Sequence, residues 1–305
     1  IAGRPNADVG QQLHAAAYQY ETALADGSQG ASSVVPTLSL DSGLVFERDV
    51  RLWGHDLVQT LEPRAFYVYT PYRNQSLLPN YDTALNDFNF ASLFTENAFT
   101  GHDKISDNNL LTLGLTTRFL DAQTGAQIAR FGVAQRLRFE DQRVTLDASS
   151  QPAQQGFSDI MLGASLNLDE RWMLDSTLQY NAKTDQSERS VLGLRYNPSP
   201  YRVVNAAYRF QRDNAQQIDL SWQWPLNDLW GDKGLRLEAG QGQGPGRYYG
   251  VGRINYSINE RRLVDTVLGV EYDAGCWLAR VVLERVQTST STASSLRPTS
   301  SVSAL

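Results

Sequence analysis

The chain has 305 residues, with 27 Lys+Arg against 33 Asp+Glu for a net charge of −6, and is 41% hydrophobic, 10% aromatic and 20% charged. Its apolar runs, Phe66-Tyr67-Val68-Tyr69 among them, fall far short of the roughly 20 residues a transmembrane helix needs, so no helix spans a bilayer. The acidic balance argues against a nucleic-acid partner, which calls for a basic face, and the single Cys excludes an internal disulfide framework and a cysteine-based zinc cage.

Residue 1 is Ile, and Ile1 to Gly10 lacks a basic segment followed by an apolar core, so no signal peptide is read and the chain is expected to be a piece of a longer protein. Residues 1–33 are expected to form a first strand and its loop. Gln11 to Leu24 is taken as the strand, although Leu13, Ala16, Ala17, Tyr20 and Leu24 would also suit a helix.

From Val34 onward the pattern has period two, the mark of strands with two different faces. Val34, Pro36, Leu38, Leu40, Leu44 and Phe46 share one face of the first run. Between Leu57 and Tyr69, Leu57, Leu61, Ala65, Tyr67 and Tyr69 lie on one side, and Glu62 and Arg64 on the other. Over Gln127 to Phe139, Phe131, Val133, Leu137 and Phe139 oppose Arg130, Arg136, Arg138 and Glu140.

The segment Pro71 to Asn108 breaks the rhythm yet carries Tyr72, Tyr81, Phe88, Phe90, Phe94 and Phe99. Disordered loops are poor in aromatics and long ordered loops are commonly functional, so 71–108 is expected to fold over or into the strands as a partial cap. The alternative is a surface loop whose aromatics pack on one another.

Further runs begin near Ile160, Arg171, Arg189, Tyr201, Gln216, Lys233, Arg247, Arg262 and Cys276, separated by turn sequences such as Asn197-Pro-Ser-Pro200 and Asn259-Glu-Arg-Arg262. Gly240 to Gly246 reads as a flexible hairpin loop, since no helix follows to cradle a phosphate. The total is about 14 strands, and many run to the 9–11 residues that a tilted strand needs to cross a bilayer. Residues 287–305 are Ser, Thr, Ala and Pro with little to bury, and are expected to be disordered.

A soluble sandwich and a membrane barrel both show alternation. Aromatics near strand ends (Trp172, Trp222, Trp224, Tyr248, Tyr249, Tyr272, Trp277) fit interfacial girdles. The polar faces decide between them. Arg195, Asn197, Asn205, Arg209, Arg253, Asn255, Asp265 and Glu271 lie within strands, more polar groups than a sandwich core can hold but acceptable in a solvated lumen. The expected fold is an all-β, antiparallel up-and-down transmembrane barrel. Its lumen candidates are Glu62, Arg64, Arg130, Arg136, Arg138, Arg195, Arg209, Arg253 and Glu271.

No catalytic, metal or cofactor site is read. His14, His55 and His102 have no second ligand at metal-binding spacing, and Gly163-Ala-Ser-Leu-Asn167 fails the nucleophile-elbow pattern at its last position. Glu62 and Arg64, two apart, are placed to form a structural ion pair.

Several blocks resemble a known family. Thr60-Leu-Glu-Pro-Arg-Ala-Phe-Tyr-Val-Tyr-Thr-Pro-Tyr72, Asn74-Gln75, Tyr81-Asp-Thr83, Leu93-Phe94, Phe99-Thr-Gly-His-Asp103, Leu113-Gly-Leu-Thr-Thr-Arg-Phe119 and Gly269-Val-Glu-Tyr-Asp-Ala-Gly-Cys-Trp277 are similar to the LptD (organic solvent tolerance) family of LPS-assembly proteins. The resemblance runs from about residue 35 to 286 and implies that 34–286 is the C-terminal half of an outer-membrane barrel in a Gram-negative bacterium. It also implies a role in moving lipopolysaccharide to the outer leaflet, a lipoprotein plug (LptE) in the lumen, and a preceding periplasmic domain joined to the transport bridge. The family's adjacent cysteines fall at Gly275-Cys276, so Cys276 alone is left to bridge to the preceding domain. A general porin, or a barrel enzyme using one of the three histidines, are the rival readings.

Overall fold

A computed structural model describes residues 2–23, 27–52, 54–146, 153–235, 244–286 and 295–304. The protein is all-β. Its strands are β1 (Ala2–Gln19), β2 (Gly30–Leu52), β3 (His55–Thr70), β4 (Asn108–Asp121), β5 (Gln127–Arg138), the two-residue β6 (Gly156–Phe157), β7 (Ile160–Asn167) and β8 (Trp172–Asn181). They continue with β9 (Gln186–Ser199), β10 (Arg202–Gln211), β11 (Ala215–Pro225), β12 (Arg247–Ser257), β13 (Arg262–Asp273), β14 (Trp277–Val286) and β15 (Ser295–Ala304). The order of the sheet is the order of the chain, with β6 set aside on β5, so the expected antiparallel up-and-down arrangement is found. No helix among the described residues is long and apolar enough to cross a membrane.

The chain divides into two compact units, Ile1–Gly163 with Gln179–Gln186, and Ala164–Leu178 with Ser187–Leu305. In the first unit the pairing registers put Leu40, Tyr67, Leu111 and Leu137 in one row across β2–β5, and Asp41, Phe66, Thr112 and Arg136 in the adjoining row on the opposite face. The two faces have reversed polarity. Leu113 is 54% exposed and Phe131 40%, whereas Thr112 is fully buried. The apolar face looks outward and the polar face is covered.

What covers it is the long connection 71–107. Its aromatic residues reach over the polar face of β3–β5. Phe94 packs on Phe66, Val68 and Leu110, while Phe88, Phe90 and Phe94 pack on Leu93, Ala134 and Met161. The backbone can come this close because the face beneath is cut away. A Cβ on Gly114 would sit 2.7 Å from Phe94 Cζ, and one on Gly163 would sit 2.8 Å from Phe90 Cε2. Glycine inside a strand marks such an approach. Full burial of such a side chain is worth on the order of 1.5–3 kcal/mol, and these rings, partly buried, contribute a share of it.

Pro63 leaves a mark on the ladder. β2 and β3 pair at Gly43–Arg64 and again at Phe46–Leu61, with no pair at the proline, which has no N–H to give.

The second unit repeats the two-faced scheme. Leu192, Tyr208, Ile218, Tyr256 and Leu263 form one outward row across β9–β13, and Val270 and Val281 face each other across β13 and β14. On the other face stand Arg195, Asn205, Ser221 and Arg253 in one register row.

Several details differ from the sequence reading. β1 starts at Ala2 and ends at Gln19, because its partner β2 is long enough to pair with all of it; Leu24 lies outside the described residues. No strand begins at Lys233, where residues 232–235 are irregular, and 236–243, including most of the Gly240–Gly246 run, lie outside the described residues. Within 287–305, Ser295–Ala304 forms β15 on the edge of β14. That ladder is made by backbone groups and needs no apolar side chain, which is why composition did not foresee it.

Replacing Gly114 by Val should force the Phe94 ring off the strands at a cost of about 1–3 kcal/mol, the usual range for overpacking. Proteolysis in detergent should then cut within 71–107 several-fold faster while the strand signal in circular dichroism holds. An unchanged cleavage rate would show that the ring does not seat on Gly114.

Candidate functional site

The covered face of the first unit gathers most of the ionisable candidates in its half of the chain, and Glu62, Arg64, Arg136 and Arg138 each have a separate partner. Arg64 and Glu62 do not pair with each other. Arg64 Nε donates to Asp41 Oδ1 at 2.9 Å, and Arg118 Nη2 lies 3.1 Å from Glu62 Oε2. Residues two apart on a strand stand side by side, and the cross-strand neighbour is the nearer partner. The Arg64 guanidinium also lies 4.3 Å from the centre of the Phe94 ring, so it bridges the sheet and the cap.

Arg136 anchors the cap from β5. Its Nη2 donates to the carbonyls of Ser92 (2.9 Å) and Leu93 (2.6 Å), at the short 3₁₀ turn Ser92–Phe94. Thr112 Oγ1 donates to the same Leu93 carbonyl at 2.8 Å. Arg138 is buried and donates to Asn108 Oδ1 at 3.3 Å, and Asn108 Nδ2 donates to the carbonyl of Glu96 at 2.8 Å. Arg130 is exposed and stands opposite Arg118 in register. Arg64, Arg136 and Arg138 are thus engaged by the chain's own loop or by the residues that hold it.

The loop is tied to the first hairpin as well. Ser39 Oγ donates to Glu96 Oε1 at 3.1 Å. Tyr18 on β1 donates its hydroxyl to Asp103, whose other oxygen accepts the N–H groups of Tyr81 and Asp82 at 2.6 and 2.7 Å. Asp82 Oδ1 in turn accepts the N–H of His102 at 3.0 Å. That bond, with others from Asp103 and Thr83, pulls the Asp82 carboxyl down from 3.8 to about 2. A long surface loop without these anchors would have to order itself against its own entropy.

In the second unit the polar face is a ladder of matched charges. Arg195 Nε donates to Asn205 Oδ1 at 2.9 Å, and Asn205 Nδ2 donates to Ser221 Oγ at 3.3 Å. Arg209 pairs with Asp219 at 3.3 Å, Asn255 Nδ2 donates to Asp219 Oδ1 at 2.7 Å, and Arg253 pairs with Asp265. Glu271, buried, accepts from Arg280 Nε at 2.7 Å. Arg209 and Arg253 keep more than half of their side-chain surface open.

At one end of this unit a second cluster fixes residues 226–235 and 244–246. Arg202 holds the Asp228 carboxylate through two nitrogens, at 2.6 and 2.7 Å, and the buried Arg247 reaches Asp232 at 2.8 Å. Gly275, in the turn between β13 and β14, lies against Pro245. The next residue, Cys276, is exposed. The sequence reading passed over Asp228, Asp232 and Arg247. The charges lie in or beside a turn with no strand alternation, so periodicity could not select them.

Among the described residues no group of three or more His, Cys, Asp or Glu is placed to hold a metal. His102 lies 3.5 Å from Asp82, both on the surface of the cap.

Because the Asp82 carboxyl is depressed in the folded cap, its stabilising contribution is complete above the unfolded value of 3.8 and disappears as pH falls through about 2. Exposure of the side chain keeps that contribution modest. Pepsin cleavage within 71–107 should therefore accelerate between pH 4 and pH 2, and Asp82→Asn should be cleaved at pH 4 faster than the parent. A rate flat across that window in the parent would dismiss the role given to Asp82.

The model of the family LptD (LPS transport system D) matches residues 8–230. Similar curated proteins include the LPS-assembly protein LptD of Albidiferax ferrireducens, 61% identical over 282 residues that cover 92% of this chain and 35% of that protein. The protein of the same name from a Polaromonas species is 63% identical over 281 residues, with 92% of this chain and 34% of that protein covered. That of Burkholderia pseudomallei is 45% identical over 285 residues, with 90% and 34% covered. The chain thus spans about a third of the length of these relatives. Among solved structures, the FpvAI–pyocin S2 complex aligns over 93% of this chain and 44% of that chain at 13% identity with a TM-score of 0.28, a likeness too slight to define shared architecture.

Proposed function

The chain belongs to the LptD family, LPS transport system D, and on that premise we propose that it is part of an outer-membrane β-barrel that assembles lipopolysaccharide into the outer leaflet. The observation that carries this reading is the reversed polarity of the sheet. Rows of exposed Leu, Val, Ile and Tyr suit hydrocarbon, and extended apolar surface of this kind is uncommon on soluble monomers. A sheet serves as a membrane wall because each strand satisfies its neighbour's backbone groups. β8, β10, β11, β12 and β14, at 10 or 11 residues each, have the length for one tilted crossing.

In this reading the polar faces look into the lumen. The ladder of the second unit, with Arg195, Arg209 and Arg253 open, is the surface offered to a lipoprotein plug of the LptE kind. In the first unit Glu62, Arg64, Arg130, Arg136 and Arg138 lie on the side held by the cap. Glu271 takes a structural part through Arg280. Cys276 bridges to a cysteine of the domain that precedes the barrel in the full-length protein, and that domain receives lipopolysaccharide from the periplasmic transport bridge. The work is transport and assembly, directed by shape and polarity, and no catalytic residue or cofactor enters it.

The full-length protein extracted from outer membranes in mild detergent should bring with it a stoichiometric small lipoprotein. On non-reducing gels it should migrate as an internally bridged form that Cys276→Ser abolishes. Recovery of a lone barrel that conducts ions in planar bilayers, with or without Cys276, would replace this reading with a porin.

A further inference from the structure

In the first unit Gln19, Gly30, Thr70, Asn108 and Arg138 share one end of the strands, the end that the long connection 71–107 leaves and rejoins, and Leu52, His55, Asp121 and Gln127, separated by 2 and 5 residues of chain, share the other. Outer-membrane barrels carry short turns on the periplasmic side and longer loops at the cell surface. On the transport reading above, the first group therefore forms the outer rim. Where β3, β4 and β5 leave the sheet at that rim there is a cavity of about 250 Å³, lined by Tyr69, Tyr72, Asn109, Glu140, Asp141 and Arg143 among others.

The walls of this cavity are fixed in place. Tyr67 Oη donates to Asn109 Oδ1 at 3.0 Å, and Asn109 Nδ2 donates to Glu140 Oε1 at 3.1 Å. The buried Asp107 carboxylate accepts the N–H groups of Arg143 and Val144 at 2.8–3.0 Å, which sets the segment that carries Glu140 and Asp141. The Arg143 guanidinium lies 4.3 Å from the centre of the Tyr72 ring. Directly beside the cavity the apolar face begins, with Tyr69 exposed and the Tyr67 ring against Phe139 at 6.5 Å.

We propose that this rim cavity binds a saccharide, namely the sugar portion of a glycolipid whose acyl chains lie along the outward apolar face below it. The proposal rests on the transport reading for the source of the sugar, and on the cavity alone for the chemistry. Carboxylates and an amide suit hydroxyl donors, the tyrosine walls suit the C–H faces of a ring, and the space accommodates a single sugar. Phosphate is disfavoured, because Asp107, Glu140 and Asp141 outnumber Arg143 and like charges across a contact repel. Asp107, Glu140 and Asp141 are not gathered closely enough to hold a metal as a three-carboxylate group.

The test uses the full-length chain in detergent and a deacylated, dephosphorylated core oligosaccharide from lipopolysaccharide, followed by saturation-transfer NMR. Wild-type protein should bind it saturably. Glu140→Gln combined with Asp141→Asn should weaken binding at least tenfold, Tyr72→Ala several-fold, and Arg51→Gln at the opposite end not at all. Inorganic phosphate should not compete. No binding, or equal binding by wild type and the double variant, overturns the proposal. Depleting the wild-type chain from cells separates the two readings. If lipopolysaccharide still reaches the surface, the transport reading and the glycolipid source both fall. If delivery stops while the oligosaccharide ignores the cavity, only the saccharide site falls.

Discussion

Every backbone N–H and C=O at bilayer depth must find its partner in a neighbouring strand, because hydrocarbon offers none. That constraint turns the usual logic of a sheet around. Once the ladder has satisfied the backbone, the side chains of the outward face are free to be apolar and exposed, as Leu113, Leu115 and Phe131 are, while the polar side chains collect on the other face. Solvent order alone would have placed those leucines inside. The continuous pairing from β1 to β5, and from β9 to β15, is therefore the condition on which both faces depend.

The polar face creates a second problem, since a row of arginines and threonines cannot pack a core by itself. In the first unit the solution is a borrowed core. The loop 71–107 brings phenylalanines to a face thinned by Gly114, Gly132 and Gly163, and Arg136 ties the loop's carbonyls to β5. Burial of the rings and satisfaction of the carbonyls act together. A buried carbonyl left without a donor costs about 1–3 kcal/mol, so the arginine matters as much as the aromatics. In the second unit the charges are matched with each other across strands, as Arg253 is with Asp265.

Much of this was legible in the residues. Alternation read the strands, their antiparallel succession and the two faces, because a period of two survives in any strand with unlike sides. The aromatic content of 71–108 marked it as something other than a solvent loop. The partners were not legible. Glu62 and Arg64 suggested each other by proximity in sequence, whereas register gave one to Arg118 and the other to Asp41. The glycines under the cap carried a usable signal, since a glycine inside a strand pattern points to close approach. The Asp228–Arg247–Asp232 cluster carried none, because a turn has no period to read. β15 was hidden for a different reason: a backbone ladder can order a segment whose composition is Ser, Thr, Ala and Pro.

The central claim is that adjacent residues of one strand face lipid and lumen in turn, and a pair of tryptophan probes on β4 tests it most directly. Leu115→Trp and Thr116→Trp, each in a full-length chain whose native tryptophans are replaced by phenylalanine, would be reconstituted into vesicles of brominated phospholipid. The account predicts strong quenching of the probe at 115 and little at 116. Equal quenching of the two, or the reverse order, would contradict it.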